Sequence, residues 1–125
     1  EKDGKHNNSI NIKRRGVAPM NDVIRVHALS VGSQAQNPFE RLDDIDEANI
    51  LSIGQTDRLR YALEFMALVR LRHQADDIKH NHTADNSIEP EYISDHDRHN
   101  LKEAFQVLNH AQKYLRFRYP ERGRG

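Results

Sequence analysis

Two arginines, a histidine and a glutamine interrupt the most apolar part of this chain, in the segment LVRLRHQ at residues 68–74. At helical spacing, Arg70 and His73 continue a line that begins with apolar residues one to three turns earlier. Burying an unpaired guanidinium group is costly, so these side chains must be paired, exposed or directed into a cleft. Arginine also suits phosphate and carboxylate ligands, because its donors lie in one plane and can bind both oxygens.

The residues leave two interpretations of this segment open. In the structural one, the arginines pair with carboxylates such as Asp76, Asp77 or Glu103, and their aliphatic stems cover the core. In the functional one, the arginines line a cleft for an anionic or polar partner, and His73 forms a hydrogen bond there. Physical chemistry alone favours the structural interpretation.

Other residues that could do chemistry have weaker support. Asp44 and Asp46 could resemble a metal-binding pair, but they lie on a predicted helix, so they are predicted to form a solvated helix face. His96 and His99 are three residues apart, with Asp95 beside them, which is a spacing that zinc can use. Because the chain has 8 histidines in 125 residues, chance pairs are expected. We therefore predict neither a catalytic residue nor a native metal site.

Composition narrows the class of protein further. A chain of 125 residues suits one domain with a single core. Its 19 basic and 19 acidic residues cancel, whereas proteins that bind nucleic acid by neutralising phosphates usually have a basic excess. It has no cysteine and no apolar run that could span a bilayer. These features predict a cytoplasmic protein that binds neither membrane nor nucleic acid.

Hydrophobic periodicity predicts an all-α fold, an antiparallel helical bundle of four main helices plus short helical segments. The predicted helices span about 19–31, about 38–48, about 55–80 and about 95–118. Residues 1–16 are predicted to be a linker and N-terminal anchor, 17–119 the bundle and 120–125 a disordered tail. Because the chain opens on Glu1 and a polar run, we expect it to be a piece of a longer protein.

Residue types at the helix ends predict their boundaries. Asn37, Thr56 and Ser94 are predicted N-caps, because their side-chain oxygens can accept a hydrogen bond from a free backbone N–H. Gly32 and Pro120 are predicted to end the first and last helices.

The helix at 55–80 has apolar residues in three stripes around its axis. The third stripe consists of Leu68, Leu71, Ala75 and Ile78. A helix that is apolar on several sides is usually enclosed, so we expect this one to be central and packed by neighbours all round.

Four segments together resemble a known family. They are INIKRRGVAPMNDVIRVHAL, NPFERL, LVRLRHQ and ADNSIEPEYISDHDRHNLKEAF. In this order and spacing, over about residues 10–118, they resemble the nucleotidyltransferase substrate-binding domain of bacterial signalling proteins. The turn here is Arg14-Arg15-Gly16 where the family has Arg-Gly-Gly.

The resemblance implies a helical bundle beside a catalytic domain similar to that of PII-uridylyltransferase. The expected partners are that nucleotidyltransferase domain and the CBS and cyclic-nucleotide-binding domains of the same parent chain. A protein acceptor and a second copy of the chain are further candidates. Magnesium and a nucleoside triphosphate are expected in the parent's catalytic domain and no cofactor in this chain. The resemblance thus implies a substrate-binding or regulatory role in signal transduction, without catalysis by this part alone.

If the domain binds a substrate, basic and amide side chains are expected to line one cleft. The basic side chains would orient a phosphate or an acidic acceptor, and the amide side chains would fix the loops. The candidate substrate-binding residues are Lys13, Arg14, Arg25, Asn37, Arg41, Arg70, Arg72, His73, Gln74, Asp85 and Asn86. The alternative is a structural bundle that mediates dimerisation or relays signals, without a ligand site.

Overall fold

The computed structural model describes residues 10–80, 87–88 and 93–120. Within these ranges, four α-helices, a single π-helix and two short strands are formed. The α-helices are α1 (Ala18–Ser30), α2 (Pro38–Glu47), α3 (Gln55–Lys79) and α4 (Asp95–Arg118), and the π-helix spans Lys13–Val17. The predicted all-α bundle of four main helices is confirmed. None of the helices in the described ranges is both long and apolar enough to cross a bilayer.

The two strands form a small addition that periodicity did not predict. β1 (Ile10–Asn11) pairs antiparallel with β2 (Ser87–Ile88), so that Ile10 lies opposite Ile88. A two-residue strand is too short for an alternating pattern, so the sequence carries no signal for it. Of the predicted site residues, Asp85 and Asn86 lie outside the described residues, as do most of the predicted linker and tail.

Local hydrogen bonds fix the starts of the helices. The Asn37 side chain accepts from the backbone N–H of Glu40, and Ser94 accepts from that of Asp97, which confirms both predicted caps. The predicted cap at Thr56 is wrong. Gly54 is the N-cap of α3, with a φ of 83° that glycine adopts at no steric cost, and Thr56 is buried inside the first turn.

Gly32 ends α1, as predicted. With a φ of 74°, it lets the chain reverse so that two backbone N–H groups reach the last carbonyls of the helix. Ser33 N–H bonds to the Ala28 carbonyl at 3.0 Å, and Gly32 N–H bonds to that of Leu29 at 3.2 Å. These are the two bonds of a Schellman motif, which satisfies carbonyls that a helix end otherwise leaves without partners.

The core lies where α1, α3 and α4 face one another. Leu59, Leu63 and Met66 from α3 are fully buried, and α2 adds Leu42 and Ile45. From α4, the buried residues recur at spacings of three and four and are Leu101, Ala104, Leu108 and Ala111. This seam confirms the predicted core face of the last helix.

The expectation that α3 is packed on all sides is wrong. Leu68, Leu71 and Ile78 are 44 %, 64 % and 67 % exposed, and Ala75 on the same line is exposed as well. The elements that pack on α3, namely α2, α4 and the π-helix, cover its opposite side. An apolar stripe is buried only where a neighbouring element reaches it, and none within the described ranges reaches this one.

Candidate functional site

The π-helix at Lys13–Val17 packs unusually closely on the bundle. A Cβ atom at Gly16 would lie 2.7 Å from Met66 Sδ and 3.3 Å from Phe105 Cε1, so only glycine fits without displacing core atoms. The basic residues before it, Lys13, Arg14 and Arg15, are exposed. The close approach of Gly16 therefore holds the π-helix, which carries these three cations, against Met66 of α3 and Phe105 of α4. π-helical turns occur frequently at functional sites.

An open groove runs between the π-helix and α4. It has a volume of about 380 Å³ and is lined by Arg15, Phe105, Leu108, Asn109 and Gln112. Leu108 is buried and Phe105 is half-buried, whereas Arg15 and Asn109 are exposed. The groove, here called the π-helix groove, thus joins an apolar part to polar groups that can form hydrogen bonds.

The basic side chains beside this groove have no ion pair in the part of the chain that the structure describes. Within the described ranges, the side chains of Lys13, Arg14 and Arg15 contact no carboxylate. The backbone N–H of Arg14 bonds to Asn11 Oδ1 at 3.0 Å, which anchors the first turn of the π-helix. A chain with zero formal net charge therefore presents a local positive field at this point.

The side chains that line the groove can bind a ligand, but none of them is suited to making or breaking covalent bonds. The Arg15 guanidinium can hold a phosphate or carboxylate through two hydrogen bonds. The amides of Asn109 and Gln112 both donate and accept, and the ring of Phe105 can pack on a planar group. None of the five lining residues carries a hydroxyl, thiol, carboxylate or imidazole, the groups that usually act as nucleophile or general base.

A second polar cluster lies at the other end of α1, where the buried His27 meets the half-buried Tyr119 and the exposed Ser30 and Arg118. His27 is 1 % exposed, and its Nδ1 lies 3.1 Å from Tyr119 Oη. Ser30 uses its one hydroxyl proton on the His27 carbonyl, so its Oγ accepts the proton of Tyr119. Because the Tyr119 proton is then in use, Tyr119 Oη accepts from His27 Nδ1. Arg118 Nε also donates to Tyr119 Oη, at 3.0 Å. Donor counting therefore assigns the proton of the neutral imidazole to Nδ1.

Burial, together with the positive charge of Arg118, lowers the pKa of His27 from 6.5 to about 4. The imidazole is consequently neutral at physiological pH. Its ring also stacks on Tyr114, with centroids 6.1 Å apart. This cluster joins the ends of α1 and α4 and does not line the π-helix groove.

Comparison with known families decides the assignment. The family model described as "Putative nucleotidyltransferase substrate binding domain" matches residues 1–119. The chain belongs to this family. Comparison with curated proteins gives no match, and comparison with solved structures gives none either. The match covers the π-helix and all four α-helices of the substrate-binding domain, so every element described above belongs to the family's domain.

The structure places the predicted basic site residues of this substrate-binding domain in more than one region. Lys13 and Arg14 lie on the π-helix beside the groove, although neither lines it. Arg25 is exposed on α1. Three residues that line the groove were not among the predicted site residues. They are Arg15 of the π-helix and Asn109 and Gln112 of α4. The two amides stand three residues apart on one helix face, but no local pattern indicates what they face.

Two predicted site residues hold the loop before α2. Asn37 is occupied as the N-cap, and Arg41 Nε donates to the Ala35 carbonyl at 3.1 Å. These contacts fix the backbone between α1 and α2. Their predicted part in substrate binding stays a prediction.

The segment LVRLRHQ has partners. Arg72 Nη1 lies 2.9 Å from Asp97 Oδ2, which links α3 to the first turn of α4. His73 Nε2 lies 3.4 Å from Asp77 Oδ2. Arg70 and Gln74 are partly buried and also engaged in interactions. The carboxylate that Arg72 contacts is thus Asp97 of the last helix, not Asp76, Asp77 or Glu103 as the sequence suggested, because only the packing of α4 on α3 brings it near.

We expect Arg72→Ala to lower the free energy of unfolding by only about 0.5 kcal/mol, because half-exposed ion pairs are screened by water. Urea unfolding measures this loss. Arg116→Ala is the matched control, since Arg116 is exposed on α4 and has no ion pair within the described ranges. A loss above about 1.5 kcal/mol would show that the Arg72–Asp97 pair holds the two helices together.

The histidines of α4 have near neighbours of their own. His99 Nε2 lies 3.2 Å from Glu103 Oε2, and His96 Nε2 lies 3.2 Å from Asn100 Nδ2. In the part of the chain that the structure describes, no three His, Asp or Glu side chains converge as a metal ion would require.

Proposed function

We propose that this domain binds the acceptor substrate of a nucleotidyltransferase in the π-helix groove. It holds the substrate and does not catalyse the transfer. The observation that carries the proposal is the Arg15 guanidinium, which lies beside two amides and has no carboxylate partner in the described ranges. The class of acceptor that suits it bears a phosphate or carboxylate group.

The dimensions of the groove support this proposal. A volume of about 380 Å³ lies within the range of small-molecule sites, roughly 300–1,000 Å³. An anion held by Arg15 would place a neighbouring planar or apolar group over Phe105. The resembled family has glycine at the position of Arg15. This arginine would therefore give the present chain a stronger preference for anionic acceptors than other members of its family have.

The reaction itself would belong to another domain of the parent protein. We propose that a nucleotidyltransferase domain supplies it with magnesium and a nucleoside triphosphate, beside CBS and cyclic-nucleotide-binding domains that relay a signal. The resemblance supports this arrangement. The described residues of this domain offer no cluster of carboxylates that fits a magnesium ion, so no catalytic step is assigned to them.

The test is a titration of the isotopically labelled chain, followed by NMR. The probes are inorganic phosphate, ATP and adenosine. We expect phosphate and ATP to shift the side-chain N–H signals of Arg15, Asn109 and Gln112 in a saturable manner. Adenosine should shift them much less, because it lacks the anionic group that Arg15 binds.

A charge-reversal variant makes the test specific to the groove. Arg15→Glu should weaken phosphate and ATP binding by about tenfold or more, because it replaces a bidentate donor with a repelling carboxylate. Arg58→Glu makes the same change of charge at an exposed position of α3 that does not line the groove, and should leave affinity almost unchanged. Equal losses in both variants, or no saturable shift in the wild-type chain, would contradict the proposal.

A further inference from the structure

The side of α3 that faces away from the core carries a regular apolar line. Leu68, Leu71, Ala75 and Ile78 follow at spacings of three, four and three, and all are exposed. These four residues are called the α3 outer stripe. The spacing equals that of the a and d positions of a heptad, which is the pattern by which one helix packs along another.

This line differs from the other exposed apolar residues. Single exposed side chains such as Leu29, Ile53 and Phe117 are ordinary on protein surfaces. On α3, in contrast, the exposed residues adjoin over three turns and form one surface. Adjoining exposed apolar groups of this kind mark a site of association.

The stripe fits a second copy of itself. If two α3 helices cross antiparallel about a two-fold axis near residue 73, Leu68 of one copy lies opposite Ile78 of the other. Leu71 then lies opposite Ala75, a large side chain against a small one. A two-fold interface requires one surface to complement itself, and this stripe does so at all four positions.

The charges beside the stripe favour the same arrangement. Glu64 and Lys79 are exposed near its two ends, and neither has an ion pair within the described ranges. In the antiparallel pair, Lys79 of one copy would lie about 4.5 Å along the axis from Glu64 of the other, a separation that both side chains can span. A parallel pair would instead place each charge beside its like.

The Arg72 side chain leaves the stripe open. Arg72 follows Leu71 in the sequence and lies beside the stripe on the helix surface. Its guanidinium group contacts Asp97 of α4. This contact draws the charge toward α4, away from the line of the stripe. A partner helix would therefore meet an apolar line, with opposite charges toward its ends.

We propose that two copies of this domain associate through antiparallel contact of their α3 outer stripes. Four side chains per copy bury less than the roughly 800 Å² per partner of a stable complex. The dimer is therefore reversible, with a dissociation constant on the order of 100 µM. This inference does not depend on the π-helix groove, because the π-helix and α4 cover the opposite side of α3.

Sedimentation equilibrium of the full chain, from about 10 µM to about 1 mM, tests the proposal across the expected dissociation constant. Leu71→Lys should weaken association by about tenfold or more, because it places a charge near the centre of the stripe. Leu29→Lys is the matched control. Leu29 is 70 % exposed on α1, against 64 % for Leu71, and its substitution should leave association unchanged. Circular dichroism verifies that both variants remain folded.

Charge exchange tests the orientation. Glu64→Lys alone should weaken the dimer, and adding Lys79→Glu should restore it, since the opposite charges then meet again with their places exchanged. A wild-type chain that stays monomeric throughout, or a dimer that Leu71→Lys does not weaken, would overturn the proposed interface. Weakening by Glu64→Lys without recovery in the double variant would overturn the antiparallel arrangement.

Discussion

Acidification from neutral pH to below pH 4 is expected to remove about 3 kcal/mol of the free energy of unfolding through His27 alone. The pKa of this histidine is about 4 in the folded chain, against 6.5 for an exposed imidazole. Between these values the unfolded chain binds a proton that the folded chain does not. Stability is therefore fully present above about pH 6.5 and declines as the pH falls, until the loss is complete below about pH 4.

The physical cause is the closed environment of the ring. His27 lies within the bundle, donates from Nδ1 to Tyr119 and faces the charge of Arg118 across that hydroxyl. A second proton on the imidazole would place a positive charge in a buried site beside a guanidinium group. Unfolding exposes the ring to water and removes both penalties.

Urea unfolding between pH 7 and pH 4 measures this loss, with His27→Gln as the variant that cannot titrate. Glutamine keeps an N–H donor for Tyr119, so the pH dependence of the variant reports the other groups alone. His110→Gln is the matched control, because His110 is exposed on α4, and it should follow the wild-type curve. Parallel curves for the wild-type chain and His27→Gln would contradict the assignment.

Gly16→Val is expected to lower the free energy of unfolding by about 2 kcal/mol, because its side chain would enter space held by core atoms. The first added atom would already lie 2.7 Å from Met66 Sδ and 3.3 Å from Phe105 Cε1. Met66 is fully buried, so relief of this contact requires movement of the π-helix. The variant should therefore also weaken phosphate binding in the π-helix groove, which Arg15 and Phe105 line.

Urea unfolding and the phosphate titration measure these two effects. Arg14→Val introduces the same side chain into the π-helix at an exposed position, and should change stability by less than about 0.5 kcal/mol. A Gly16→Val chain as stable as the wild type would show that the π-helix is not held by this close contact. If Gly16→Val lowered stability but left phosphate binding unchanged, the shape of the groove would not depend on the close packing of the π-helix.

The helices of this domain were accessible to sequence reasoning because local rules specify them. The caps at Asn37 and Ser94 bond to residues only three positions away, and Gly32 ends α1 by its own backbone conformation. Apolar spacing of three and four located the core face of α4. The order and spacing of four segments indicated the family to which the chain belongs.

Where local rules allowed two answers, the residues alone did not decide. Thr56 and Gly54 both suit the start of α3, and only the backbone shows that glycine takes the left-handed conformation there. The stripes of Leu63 and Leu71 are equally apolar, yet the first is buried and the second exposed. That difference depends on which side of α3 its neighbours cover, and no residue within α3 encodes it.

By itself, then, the sequence determined the class of fold, the extent of each helix and the family, because these follow from interactions within a few residues and from the order of segments. Only the tertiary structure decided which groups meet. Arg15 and Gln112 share a groove, and His27 and Tyr119 share a hydrogen bond, although more than ninety positions separate each pair. Such contacts arise from the packing of whole helices, in which burial of the core determines which distant side chains come together.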